Sequence, residues 1–191
     1  LKISQELGWY NRNTGYNPYT REGKKTCAME ICEQLSWHVP DWVLVSVGDG
    51  NIISGLAKGF TDLHKAGIIE RIPKMCAVQS SHSNAIAQSV HRCLAGKPLM
   101  IETVSATTIA DSISVDFPRD GVAAVKAVLE SKGMALEVSD EEILSAIPKT
   151  ARAWGVFGEP AGVACLAGLE KMLSQNIIKE GESVVCVVTG N

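Results

Sequence analysis

The sequence predicts an α/β fold, a parallel sheet flanked by helices. Three observations carry this. Apolar, strand-like runs at 42–47, 75–79 and 183–188 alternate with helical patterns, the order that lays helices over a parallel sheet. The run at 42–47 holds several β-branched residues and almost no polar ones, as a strand buried on both faces does. The 191 residues are 46% hydrophobic and 20% charged, with no repeats, low-complexity stretches or flexible linkers, which is enough chain for one substantial core.

The elements follow in order. Residues 1–8 read as the tail of a helix stopped by Gly8. Residues 9–23 are turn-rich, with Asn11, Asn13, Gly15 and Asn17-Pro18. A helix is expected over 24–35, with Met29, Ile31, Cys32 and Leu35 apolar, then the strand from Trp42 to Val47. Ile52, Leu56, Phe60 and Leu63 mark one face of a helix over 51–66 that Gly67 stops. After the strand at 75–79, a helix over 84–95 ends at Gly96, and a short one is expected over 107–113. Asp120 is placed to cap a helix over 121–132 closed by Gly133. Ser139 and Glu142 fit a capping box for a helix at 140–147, with Pro148 interrupting or ending it. Pro160 suits the first turn of a helix to about 175. That helix is apolar nearly all round (Val163, Ala164, Cys165, Leu166, Leu169, Met172, Leu173), so it should be deeply buried.

Composition removes several classes. A net charge of −3 lacks the clustered cationic surplus that nucleic-acid binding needs. No apolar run approaches the ~20 residues of a membrane span. The ordinary apolar content and the absence of like-charge blocks exclude intrinsic disorder. The six cysteines (27, 32, 76, 93, 165, 186) form no CxxC pair and most lie within apolar runs, so reduced structural thiols of a cytosolic protein are expected; the four histidines are scattered, and no metal-ligand spacing appears. Residue 1 is Leu rather than Met, the opening residues lack the layout of a signal peptide, and the chain stops directly after a strand. The expectation is a piece of a longer protein, truncated at both ends.

The strongest chemical signal is Val45-Ser46-Val47-Gly48-Asp49-Gly50-Asn51-Ile52-Ile53-Ser54-Gly55. A buried strand runs through small residues into a helix start, where free N–H groups and the positive helix end favour an anion, phosphate above all. The dinucleotide fingerprint fails, because Ile53 stands at its third glycine and Gln79-Ser80 where the ribose-binding acid is expected. The triphosphate loop also fails, because Leu56 replaces its lysine. A small monophosphate ester held by main-chain amides fits, as does a plain strand-to-helix turn with no ligand. Asp49 carries the wrong charge for an anion site and must turn away or hydrogen-bond its own backbone.

Three further segments extend the pattern: Asn17-Pro18-Tyr19 with Glu22-Gly23-Lys24-Lys25-Thr26, then Phe157-Gly158-Glu159-Pro160-Ala161-Gly162, and Val184-Val185-Cys186-Val187-Val188-Thr189-Gly190. With the glycine loop, in this order, they resemble the threonine synthase branch of the pyridoxal-phosphate enzymes of the tryptophan synthase β-like fold (fold type II), in its later part only. Threonine and serine dehydratases are close relatives of that branch. The resemblance implies that the amides of Gly48, Asp49, Gly50, Asn51 and Ile52 cradle the phosphate of pyridoxal 5'-phosphate, and that the Thr189 hydroxyl faces the pyridine nitrogen. It also implies a small-molecule amino-acid substrate, a cytoplasmic homodimer, residues 1–23 finishing a smaller domain and crossing back, and 24–191 forming an incomplete large cofactor domain. The reaction implied is conversion of O-phosphohomoserine and water to threonine and phosphate; a dehydratase-type ammonia-lyase and a non-catalytic relative on the same scaffold stay open. This class works through a Schiff-base lysine. No matching lysine motif occurs here, so the lysine is expected upstream of residue 1 and no catalytic residue is assigned within the chain. Glu159 is read as a helix-start acid, in a segment that the resemblance places near the cofactor, and His82 as a solvated loop residue, with contact to substrate as the alternative.

Overall fold

The computed structural model describes residues 2–191. Leu1, part of the expected helix end, lies outside the described residues. The elements are α1 (Lys2–Glu6), α2 (Pro18–Gly23), α3 (Lys25–Gln34), β1 (Trp42–Ser46), α4 (Asn51–Lys65), β2 (Lys74–Ser80), α5 (Ala85–Leu94), a 3₁₀ turn (Asp111–Ile113), α6 (Gly121–Glu130), β3 (Met134–Val138), α7 (Asp140–Trp154), α8 (Pro160–Ser174) and β4 (Val184–Val187).

The sheet is wholly parallel, with strand order β3-β2-β1-β4. Leu44 on β1 sits between Cys76 of β2 and Cys186 of β4. Successive side chains of β1 alternate between two cores, as the two-residue strand period requires. Val43, Val45 and Val47 pack with α3, α4, α5 and α6; Trp42 and Leu44 pack with α7 and α8. The layering follows from handedness. The chain steps from β1 to β2 to β3 with its helices on one face, then returns past β1 to β4 with α7 and α8 on the other. Right-handed crossovers in opposite directions demand opposite faces.

Several expectations are corrected. Residues 18–23, read as turns, form α2, because the Asn17 side chain accepts from the Tyr19 N–H at 3.0 Å and Pro18 occupies the first helical position. Strand β3 has no counterpart in the sequence reading. Its residues, Met-Ala-Leu-Glu-Val, carry little strand propensity, and pairing with β2 makes it a strand. Helix α7 does not stop at Pro148 but continues to Trp154. Its Ile143, Ala146 and Thr150 are buried, and Lys149 pairs with Glu170 of α8 at 2.6 Å, so packing holds the helix through the proline. The helix expected over 107–113 shrinks to the 3₁₀ turn, since the Thr108 hydroxyl and the Ile109 amide are drawn to the Asp140 carboxylate. Helix α3 buries Ala28 and Cys32 while Met29 and Leu35 are exposed. Asp120 opens α6 but makes no cap with its side chain.

Other expectations hold. The Ser139–Glu142 capping box is formed. Helix α8 is buried without a break from Ala161 to Gly168, although Leu173 at its end is exposed. All six cysteines are free. Burial pushes the Cys76 thiol far up, which makes it an inert core residue.

Glu22 at the end of α2 is clamped by Lys58 of α4 and Lys25 of α3. Lys58 first, then Lys25, hydrogen-bonds the carboxylate and holds its pKa down to about 2. A depressed carboxyl contributes stability above its unfolded value of about 4.3, and that contribution is lost as pH falls through the folded value of about 2. The cluster is exposed, so salt screens it. Carboxylate NMR should place the Glu22 midpoint near 2, and Lys58→Met should raise it. Phe60, fully buried under the sheet, gives a sharper stability test. Phe60→Ala should cost about 3–5 kcal/mol by denaturant unfolding, from lost burial plus the cavity left behind.

Candidate active site

The strand order creates a divide. The chain leaves β1 toward β2 on one side, while β4 lies on the other. In open parallel sheets, ligands settle beyond the carboxyl ends of the strands at such a switch point. A cavity of ≈ 250 Å³ lies there. Gly48, Asp49, Gly50, Asn51 and Ile52, which follow β1, form one side, and Thr189, which follows β4, also lines it. The structure therefore brings together all six residues singled out in the sequence. Ser46, Ser112, Ile113, Val115 and Ala161 complete much of the wall. Sequence reasoning missed these. Ser46 was recoverable as the last residue of the strand before the loop, whereas 112–115 carried no local signal.

The loop geometry explains the amide cradle. Gly50 has φ +89°, the left-handed region that favours glycine, and is the residue before α4. A side chain on Gly48 would stand 2.8 Å from the Ile113 Cα, so the wall formed by 112–115 can close on this loop only over a glycine. Among the described residues, the N–H groups of Gly48 to Ile53 meet no protein acceptor; the first amide of the helix to find one is that of Ser54, on Gly50 O. Unpaired donors at a helix start are what an anion requires.

Asp49 does turn away. Its Oδ1 accepts from the Arg119 N–H at 2.7 Å, and its carbonyl accepts from the Asp120 N–H at 3.0 Å. It bonds the chain ahead of α6 rather than its own backbone. Asn51 is buried and donates from Nδ2 to Asp120 Oδ2 at 2.5 Å.

Thr189 is positioned by close backbone contact. Glu159 N–H donates to Gly190 O at 3.0 Å, and a Cβ on Gly162 would lie 2.6 Å from that same oxygen. The first turn of α8 can meet the end of β4 only because both residues lack side chains. Ser46 secures the turn from below: its Oγ accepts from Cys165 N–H at 2.9 Å and donates to Gly162 O at 3.4 Å. Glu159, read as a helix-start acid, stands at the α8 N-cap with its carboxylate against Gly190 and no capping bond. His82 is exposed, as expected of a loop residue.

Among the described residues no lysine lines the cavity, and no group of three or more His, Cys, Asp or Glu is placed to hold a metal ion. No described helix is long and apolar enough to cross a membrane.

The architecture is a parallel sheet with a cavity at its switch point, lined by a helix-start loop whose amides find no protein acceptor among the described residues. A family model described as pyridoxal-phosphate dependent enzyme matches residues 1–190, and the chain belongs to that family. Among curated relatives, the chain is 39% identical over 175 residues to a threonine synthase of Methanocaldococcus jannaschii, covering 92% of this chain and 42% of the relative. It is 37% identical over 190 residues to the threonine synthase of Mycobacterium leprae, covering 100% of this chain and 49% of the relative. The chain thus spans less than half the length of these two relatives. Among solved structures, the processed form of threonine deaminase isoform 2 from Solanum lycopersicum superposes with a TM-score of 0.80 at 21% identity, covering 99% of this chain and 50% of that one. Maize serine racemase gives 0.74 at 22% identity, over 100% and 55%. These likenesses confirm the fold type II architecture.

Gly162→Ala tests the α8–β4 contact. The added methyl meets a backbone oxygen that cannot rotate aside, so unfolding should show a loss of about 1–3 kcal/mol. A neutral result would mean that the two backbones are free to part.

Proposed function

We propose that this chain is the cofactor-binding part of a threonine synthase. Residues 1–23 finish a smaller domain and cross back, and 24–191 form most of the large domain. The reading is carried by one observation: residues 48–53, whose amides find no protein acceptor among the described residues, line a single cavity together with Thr189. The curated relatives support the choice within the family.

In this reading the amides of Gly48, Asp49, Gly50, Asn51 and Ile52 hold the phosphate of pyridoxal 5'-phosphate. The Thr189 hydroxyl meets the pyridine nitrogen. Bound there, the cofactor supplies an electron sink for bonds at the substrate Cα. A neutral hydroxyl rather than a carboxylate at the ring nitrogen keeps that sink moderate, which suits elimination and replacement farther along the substrate chain. Asp49, held on the Arg119 amide, keeps its charge off the anion. The lysine that this class joins to its cofactor is placed upstream of residue 1, because no stretch of the chain matches the family's lysine motif. The intact protein is a cytoplasmic homodimer acting on O-phosphohomoserine and water.

Two measurements test this. The full-length protein, given O-phosphohomoserine and pyridoxal phosphate, should release threonine and inorganic phosphate in equal amounts; accumulation of a 2-oxoacid instead would identify a dehydratase. The 191-residue chain alone, mixed with pyridoxal phosphate and reduced with borohydride, should show no stoichiometric labelled lysine. A unique labelled lysine accompanied by turnover would refute the placement of the lysine elsewhere.

A further inference from the structure

Two carboxylates lie beside a cradle built for an anion. Asp49 is turned aside onto the Arg119 amide. Asp120 behaves differently. It stands at the N-cap of α6, where a carboxylate ordinarily accepts from its own helix, yet it makes no such bond. Instead its Oδ2 accepts from Nδ2 of Asn51, the first residue of α4 and part of the cradle. Asn51 is 2% exposed and lines the cavity. The same Nδ2 reaches Thr20 Oγ1 at 3.4 Å, and Arg21 Nη1 lies 3.7 Å from Asp120 Oδ1. Thr20 and Arg21 are both on α2. A chain of polar contacts therefore runs from α2 through Asp120 to the opening turn of α4. Among the described residues, three buried side-chain polar atoms lack a partner, and two of them, Asn51 Oδ1 and Arg21 Nε, belong to this network; the third is Ser89 Oγ.

From this geometry we infer that Asp120 is a positioning residue for the phosphate cradle, fixing Asn51 by hydrogen bond while Arg21 takes up its charge. The inference rests on the proposed cofactor reading and deepens it. A carboxylate is tolerated beside the cradle because its two oxygens are divided: one is used by the Asn51 amide and the other faces a guanidinium. Without the first, the opening residue of α4 loses its side-chain bond to a charged partner. Without the second, an uncompensated negative charge stands beside the anion. Hydrogen bonds to charged groups are the stronger kind, so the effect should be measurable.

The test uses the full-length protein that carries this sequence. Dissociation constants for pyridoxal phosphate and for pyridoxal, which lacks the phosphate, are measured by fluorescence, and the phosphorus-31 shift of the bound ester is recorded. Asp120→Ala should weaken pyridoxal phosphate roughly tenfold or more and leave pyridoxal within about twofold. Asp120→Asn keeps an acceptor for Asn51 and should hold affinity within about threefold, with an unmoved phosphorus-31 shift. Arg21→Met should weaken the phosphate ester, and more so at low salt, where the bare carboxylate is least screened. Equal losses for pyridoxal and its phosphate in Asp120→Ala, or an equal loss in Asp120→Asn, would reduce Asp120 to general structural support and overturn the inference. Tight binding by the unsubstituted protein with no change in Asp120→Ala would overturn this inference alone. Failure of the unsubstituted protein to bind pyridoxal phosphate would overturn the cofactor reading and this inference with it.

Discussion

Helix α8 and the end of β4 meet backbone to backbone at Gly162 and Gly190, and the site depends on that contact. The Gly190 carbonyl is held by the Glu159 amide, and no side chain fits between it and Gly162. Thr189 is the next residue back along the chain, so its place beside the cavity is inherited from this packing. Ser46 extends the same constraint to β1 through Cys165 and Gly162. The two halves of the cavity, one following β1 and one following β4, are in this way locked to a common turn of helix. An error of one side chain's width at Gly162 would separate them.

Among the described residues no cation lines the cavity. In the proposed reading, attraction for the phosphate comes from main-chain donors at a helix start, whose cost of organisation is met when the chain folds. Such a cradle is vulnerable to stray negative charge. Both nearby carboxylates are diverted, Asp49 onto the Arg119 amide and Asp120 onto Asn51 and Arg21. The diversion of Asp120 leaves α6 without its side-chain cap.

Much of this was legible in the residues. Strand β1, the glycine loop and α4 combine a short apolar run, small residues and an amphipathic pattern, each a strong local signal pointing to one geometry. The capping box at Ser139 and the buried helix from Pro160 were equally plain. The features that were not legible are either weakly marked or contrary to local rules. Strand β3 has the composition of a helix and becomes a strand because β2 offers it an edge. Pro148 should end a helix, and α7 passes through it because α8 holds both sides. Helix α2 did carry its signal, Asn17 followed by Pro18, in a stretch dominated by turn formers.

From sequence alone came the alternation that makes a parallel sheet, the presence of an anion-ready turn at 48–52, and the resemblance that linked this turn to Thr189. These are local properties: glycine placement, helix starts and strand runs act over a few residues and leave a mark there. Tertiary structure alone decided that the turn and Thr189 share one cavity, that residues 112–115 wall it, and that Asp120 serves a helix other than its own. Those facts depend on strand order and on which backbones can touch, between residues 60 to 141 positions apart in the chain, and no local pattern encodes a distance of that kind.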